Sequence, residues 1–260
     1  MGATYHPKLS EIRVEKLRLR AYIGFIDWEK EKLQDVIISF SFKYDTALAS
    51  ETDEVAHAVD YKKITKKIID FVDLKSFHLI ESLAEKVFLR IQSFGPALED
   101  IKVKVEKPHA LRFTDNVLVE IAGHDRYNTA VVALGSNINS EENFTKALVY
   151  LQELGFIMQR TTFIKTAPLK FEDQPDFLNG ALLLNTKKSL SELKMNLKQI
   201  EALLGRVRSE NKNAPREIDL DVLTYNGFLI DEEIQELPFL LDFVRELQPE
   251  FQVDRSALEK

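Results

Sequence analysis

The 260-residue chain contains no cysteine. That excludes disulfides, a thiol nucleophile and cysteine-ligated metal centres, and it fits a reducing compartment. Long apolar runs are also missing: no stretch approaches the ~18 residues that a membrane span needs. The first eleven residues lack the apolar core of a secretory signal, and His6 stands where a myristoylation motif wants Ser or Thr. A soluble, cytoplasmic protein with no membrane partner is therefore expected. Positive charge is not in excess. Lys and Arg total 35 against 42 Asp and Glu, for a formal net charge of -7, so no basic footprint for nucleic acid is expected. Internal repeats and low-complexity tracts are absent as well. What is present, 45% hydrophobic and 30% charged residues, is globular composition, and the length suits two domains, each with its own core.

Hydrophobic periodicity divides the chain in two. Alternation over residues 12–20 and 36–44 predicts two strands. A helix opens at Tyr61 with Ile64, Ile68 and Phe71 on one face. A second begins near Leu79, with Ile80, Leu83, Ala84, Val87 and Ile91 at helical spacing, and Gly95 stops it. Alternation returns at Ile101, Val103 and Val105 and again at Val117, Val119 and Ile121. The order is ββααββ over residues 1–123, and the polar residues 124–128 read as a short linker. The pattern then restarts over 129–260 as βαββαβ: strand Ala130–Leu134, a helix ending at Gly155, strands near 156–166 and 177–186, a helix and a strand over 217–225. The second of these helices opens on a Ser189/Glu192 capping box and ends at Gly205. The fold class expected is α+β in two domains, the second a ferredoxin-like α/β sandwich.

The most informative segment is residues 205–222. Ile218, Leu220 and Val222 alternate with Asp219 and Asp221, so both carboxylates share the face opposite the apolar residues. Two hard oxygen donors at that spacing suit Mg²⁺ together with phosphate oxygens. Arg206, Arg208 and Arg216 lie within fifteen positions, and guanidinium forks match phosphate. A solvated edge strand beside a mixed-charge loop has the same pattern. The first half says less. Glu29 lies in a polar run that reads as a solvated loop, Tyr61 sits at a helix start, and Lys107 precedes Pro108 at a strand end. Glu81 lies beside apolar neighbours on a helix, where a partner is required if it is partly buried.

Taken together and in order, four motifs resemble the 6-hydroxymethyl-dihydropterin pyrophosphokinase family over residues 129–227. They are Gly135-Ser136-Asn137, then Asp173 through Asn179, then Glu201 ahead of Gly205-Arg206-Val207-Arg208, then Pro215 through Asp221. The resemblance implies pyrophosphate transfer from ATP to a pterin hydroxymethyl group, with release of AMP. Asp219 and Asp221 would hold Mg²⁺. Arg206, Arg208 and Arg216 would contact the ATP phosphates or the transferring group, and Glu201 would contribute to the nucleotide site. Asn179 would bond the pterin edge and Phe177 would stack on its ring, with Thr166 and Leu169 completing the pocket. Core packing suits Phe177 equally well. The chain departs from the family at Leu237-Pro238-Phe239, where Phe stands in place of His, and near Asn213, where a Trp is usual. A domain that binds nucleotide without chemistry is the alternative implied.

The first half resembles dihydroneopterin aldolase over residues 11–123. The motifs are Ile23 through Glu29, Gln34, Thr52-Asp53-Glu54, Val59-Asp60-Tyr61, Leu79 through Glu85, and Val105 through Pro108. The resemblance implies the tunnel fold and a ring assembly, a tetramer or octamer with sites between subunits. It also implies retro-aldol cleavage of 7,8-dihydroneopterin without a metal or cofactor, because the dihydropterin C=N is its own electron sink. Lys107 and Tyr61 would exchange protons with the substrate. Glu81 would anchor the pterin edge, Glu29 would position the substrate, and Val59 and Ile80 would complete its contacts. Related epimerases share the scaffold.

Overall fold

The structure is a computed structural model that describes residues 7–168, 174–206, 214–231, 234 and 237–251. Leu169 and Arg208 of the expected sites, with Asp173 and Asn213, lie outside the described residues. The chain divides into two compact units, residues 1–125 and 126–260.

The first unit runs β1 (Leu9–Ile23), α1 (Asp27–Glu31), β2 (Gln34–Asp45), α2 (Ala47–Thr52), α3 (Tyr61–Val72), β3 (Ser76–Phe77), α4 (Ile80–Gln92), β4 (Glu99–Pro108) and β5 (Asn116–Ala122). Its sheet has the order β3-β1-β2-β4-β5. Neighbours pair antiparallel, except β3, which lies parallel to β1. Alternation sends Val36, Ile38, Phe40 and Phe42 of β2, with Ile101, Val103 and Val105 of β4, to one face. There they meet Ile64, Ile68 and Val72 of α3 and Leu83, Val87 and Ile91 of α4 in one cluster. The ββααββ frame stands, with α1, α2 and the two-residue β3 added to it. Those pieces are too short to show a period.

The second unit runs β6 (Asn128–Ser136), α5 (Ser140–Leu154), β7 (Gly155–Arg160), β8 (Ile164–Thr166), β9 (Phe177–Thr186), α6 (Leu190–Leu203), β10 (Asp219–Tyr225), β11 (Phe228–Leu229) and α7 (Pro238–Leu247). The strand order is β11-β10-β6-β9-β7, with β8 also pairing β9, and the pairs are antiparallel. With α5 and α6 on one face this is the ferredoxin-like arrangement expected. The Ser189 capping box is present: Ser189 Oγ accepts from the Glu192 N–H at 3.3 Å, and Glu192 accepts from the Ser189 N–H at 2.8 Å. A side chain at Gly155 would meet the Asn185 carbonyl at 2.2 Å, so glycine is what lets β7 close onto β9.

Helix α7 adds an element to the expected βαββαβ order. Leu240, Phe243, Val244 and Leu247 follow the i, i+3, i+4, i+7 spacing behind a first-turn proline, so the signal was there. The helix covers Val131, Ala133, Ala181 and Leu223, on the face turned away from α5 and α6. Both faces of β6 are therefore buried at its middle, which is why Ala130–Leu134 reads as an unbroken apolar run. Phe239, which replaces the expected His, packs against this helix's own Phe243 with ring centroids 5.7 Å apart. Phe243→Ala should destabilise the second unit by about 3–5 kcal/mol, read as faster amide hydrogen exchange in residues 128–247 with 9–122 unchanged.

Candidate active sites

In the first unit the chain leaves β1 through Gly24, turns into α1 and returns along β2. This places Glu29 in the first turn of α1 with only 6% of its surface exposed, so the solvated-loop reading is overturned. The Glu29 Oε2 atom accepts from the Phe25 and Ile26 N–H groups at 3.1 and 3.2 Å. Its Oε1 accepts from Lys107 Nζ at 2.5 Å, and Lys107 is itself 8% exposed at the end of β4. Two mates hold the turn. A side chain at Gly24, whose φ is +137°, would strike the Glu29 carboxylate, and Gln34 Nε2 donates to the Ile23 carbonyl at 2.7 Å. Burial acts to raise the Glu29 carboxyl. The Lys107 hydrogen bond, the Ile26 N–H, the lysine charge and the Phe25 N–H outweigh it, and the group lies below its ordinary 4.5. The structure thus joins Glu29 to Lys107, 78 positions apart.

The other expected residues of this half do not join that pair within one chain. Tyr61 is the first residue of α3, 55% exposed, behind an Asp60 cap that accepts from the Lys63 N–H at 2.8 Å. Glu81 is exposed in the first turn of α4, so the partial burial that would require a partner is not found, and its side chain makes no hydrogen bond or ion pair among the described residues. Val59 and Ile80 are half-buried against the core.

In the second unit the register of three strands builds the site. Gly135 of β6 lies between Asp219 of β10 and Asn179 of β9, and paired positions share a face. That face is the one α7 covers farther along. A side chain at Gly135 would meet Asn179 Oδ1 at 3.1 Å, so the glycine leaves a shallow floor between the two. Asp219 accepts from Arg206 through one oxygen and from Arg216 through the other, and Arg206 also donates to Glu201. Glu201, 3% exposed, accepts in addition from the Leu220 N–H at 2.9 Å, which makes it an internal brace rather than a solvated surface acid. The Arg216 guanidinium lies over the Phe177 ring, 5.7 Å from its centroid, and Asn179 Nδ2 donates to Thr166 Oγ at 2.8 Å. Of the expected residues, all that are described meet here. Gly205, with φ of +94°, turns the chain out of α6 so that Arg206 reaches back to Glu201.

The two aspartates differ. Burial acts to raise Asp219, but the charges and hydrogen bonds of Arg206 and Arg216 hold it below the ordinary carboxylate value. Asp221 is pushed up to about 7, by lost hydration and by repulsion from Asp219, Asp231 and Glu201. Asp231 is the participant that sequence reasoning missed; only the β10–β11 hairpin brings it near. Excess negative charge around two oxygen donors on one strand face fits a divalent cation. Among the described residues no group of three or more His, Cys, Asp or Glu could enclose one, so water and ligand phosphate would complete the shell.

Residues 12–122 match the dihydroneopterin aldolase family. Over 118 residues the chain is 40% identical to a dihydroneopterin triphosphate 2'-epimerase of Pseudomonas aeruginosa, covering 45% of this chain and 95% of that one. It is 34% identical to a dihydroneopterin aldolase of Haemophilus influenzae, covering 44% and 95%. The chain belongs to the dihydroneopterin aldolase family. In tandem, residues 131–249 match the 7,8-dihydro-6-hydroxymethylpterin-pyrophosphokinase family. Both domains together are 28% identical to the Folic acid synthesis protein FOL1 of Dictyostelium discoideum over 92% of this chain and 40% of that protein. The chain thus spans about two fifths of that relative's length.

The buried pair of the first domain makes a separable prediction. Glu29→Gln or Lys107→Met leaves one charge buried alone beneath a thin cover, at the low end of such losses, about 3 kcal/mol. The double variant should lose clearly less in urea unfolding. Because the folded carboxyl lies below its unfolded value, its contribution is present above pH 4.5 and is lost as pH falls through the folded value. The gap between wild type and double variant should therefore shrink in acid.

Proposed function

We propose that the chain catalyses two consecutive steps: aldol cleavage of 7,8-dihydroneopterin, then pyrophosphoryl transfer to the resulting 6-hydroxymethyl-dihydropterin. The observation that carries this reading is the tandem itself. Domains of two families whose reactions share one compound lie in reaction order, and each gathers acid and base side chains of the kind its step needs.

In the first domain Lys107, at the end of β4, is held against Glu29 and serves to pass protons. The substrate's side-chain hydroxyl gives its proton to water and the carbon–carbon bond breaks. Glycolaldehyde leaves, the electron pair enters the dihydropterin C=N, and one proton returns to carbon. Tyr61 is the second proton carrier and Glu81 the anchor for the pterin's N–H edge, with Val59 and Ile80 beside it. Both polar groups are exposed and stand apart from Lys107, which supports a homo-oligomeric ring whose neighbouring subunit brings them to the pair. Their exposure is what a site closed by a second copy requires.

In the second domain Asn179, Thr166 and Phe177 receive the pterin. Arg206 and Arg216 bind ATP phosphates and balance charge as the hydroxymethyl oxygen attacks the β-phosphorus and AMP leaves. Asp219 and Asp221 would hold Mg²⁺, which supplies neutralisation of phosphate charge. Glu201 keeps Arg206 aimed at that position, and Arg208 and Leu169 complete the set read from the sequence.

A second reading has one observation behind it: the 40% identity to an epimerase. Purified protein given 7,8-dihydroneopterin, ATP and Mg²⁺ separates the two by chromatography. Glycolaldehyde, AMP and pterin pyrophosphate are expected. Epimerised neopterin as the sole product would replace the aldolase reading. Hydroxymethyl-dihydropterin accumulating over untouched ATP would reduce the second domain to binding and point to Phe239.

A further inference from the structure

Asn137 closes the Gly135-Ser136-Asn137 turn at the end of β6 and has no place in the chemistry described so far. It is 5% exposed. A buried amide must find partners, and this one finds them on two separate segments. Toward the phosphate side it pairs with the backbone of Arg216 at two points. The Arg216 N–H donates to Asn137 Oδ1 at 2.8 Å, and the Asn137 N–H donates to the Arg216 carbonyl at 3.2 Å. Toward the pterin side Asn137 Nδ2 donates to Gln174 Oε1 at 3.0 Å and to the Pro175 carbonyl at 3.2 Å. Both amide hydrogens are thus spent on the segment that enters β9 at Phe177, two residues before Asn179.

These bonds lie at a junction. Arg216 stands three residues before Asp219, donates to its carboxylate, and lies over Phe177. The chain could hold Arg216 and the Phe177 segment in place independently. Instead one side chain, mounted on a central strand, fixes both, and its oxygen and its nitrogen serve opposite sides.

We propose that Asn137 is a positioning residue for the pyrophosphoryl transfer: it sets the phosphate-binding Arg216 and the pterin wall at Phe177 and Asn179 in register with each other. Occupation of either side then steadies the other through this one amide, so nucleotide and pterin bind cooperatively. The inference rests on the pyrophosphokinase reading of the second domain. It goes beyond it in assigning a role to a residue whose bonds run to Gln174, Pro175 and the Arg216 backbone.

The two halves of the amide can be cut separately. Asn137→Asp keeps an oxygen for the Arg216 N–H but turns an acceptor toward Gln174 Oε1 and the Pro175 carbonyl. Asn137→Ala removes both links. Calorimetric titration of the full chain with Mg²⁺ and α,β-methylene-ATP, which cannot be cleaved at the reacting bond, gives the nucleotide Kd. Titration with 6-hydroxymethyl-7,8-dihydropterin, alone and on the nucleotide-loaded protein, gives the pterin Kd and the coupling factor. Asn137→Asp should hold nucleotide binding within about threefold of wild type, weaken pterin at least about tenfold, and abolish the coupling. Asn137→Ala should weaken both. A residue that only supports the fold would lower the unfolding midpoint and leave both constants and their coupling unchanged in the folded protein, which would overturn the proposal. Should Asn137→Ala fail to fold, Asn137→Asp alone decides, because equal weakening on both sides also contradicts a divided role. Wild type that binds neither ligand would instead remove the pyrophosphokinase reading, and this inference with it.

Discussion

Charge taken out of water must be paired, and that requirement shapes both domains. Glu29 is held by Lys107 and two backbone N–H groups. Glu201 and Asp219 are held by Arg206, Arg216 and the Leu220 N–H. An isolated buried carboxylate costs far more than a marginally stable domain can bear, so each acid fixes the location of its base.

The fold supplies the floor for these pairs. In the second domain one sheet face is shared between structure and chemistry. Helix α7 covers the middle of it through Phe243 and Val244, on Val131, Ala133 and Leu223. Beyond the helix the same face carries Gly135, Asn179 and Asp219 side by side. The absence of a side chain at Gly135 leaves space between the Asn179 amide and the Asp219 carboxylate. In the first domain the corresponding constraint is Gly24, whose missing side chain makes room for the Glu29 carboxylate.

Much of this was legible in the sequence where a period repeats. The ββααββ and βαββαβ orders, the Ser189 cap and the shared face of Asp219 and Asp221 follow from spacing alone. Burial of Glu29 was not legible, because a polar run has the same composition whether it is solvated or folded over a lysine 78 positions away. Asp231 was hidden for the same reason: its contribution depends on a hairpin, not on a motif. Helix α7 was legible in the helical spacing of Leu240, Phe243, Val244 and Leu247. The exposure of Tyr61 and Glu81 was not legible either, because each lies in the first turn of a helix, where spacing does not set what covers it.

The central claim is that one chain holds two chemically independent sites on consecutive reactions. Its most direct test is a comparison of two isosteric variants, Lys107→Met and the pair Asp219→Asn with Asp221→Asn, each given 7,8-dihydroneopterin, ATP and Mg²⁺. The first should release no glycolaldehyde yet form AMP when hydroxymethyl-dihydropterin is added. The second should release glycolaldehyde at the wild-type rate and form no AMP, and an equal mixture of the two should restore the full sequence. Loss of both reactions in either variant, in protein that remains folded, would contradict two separate sites.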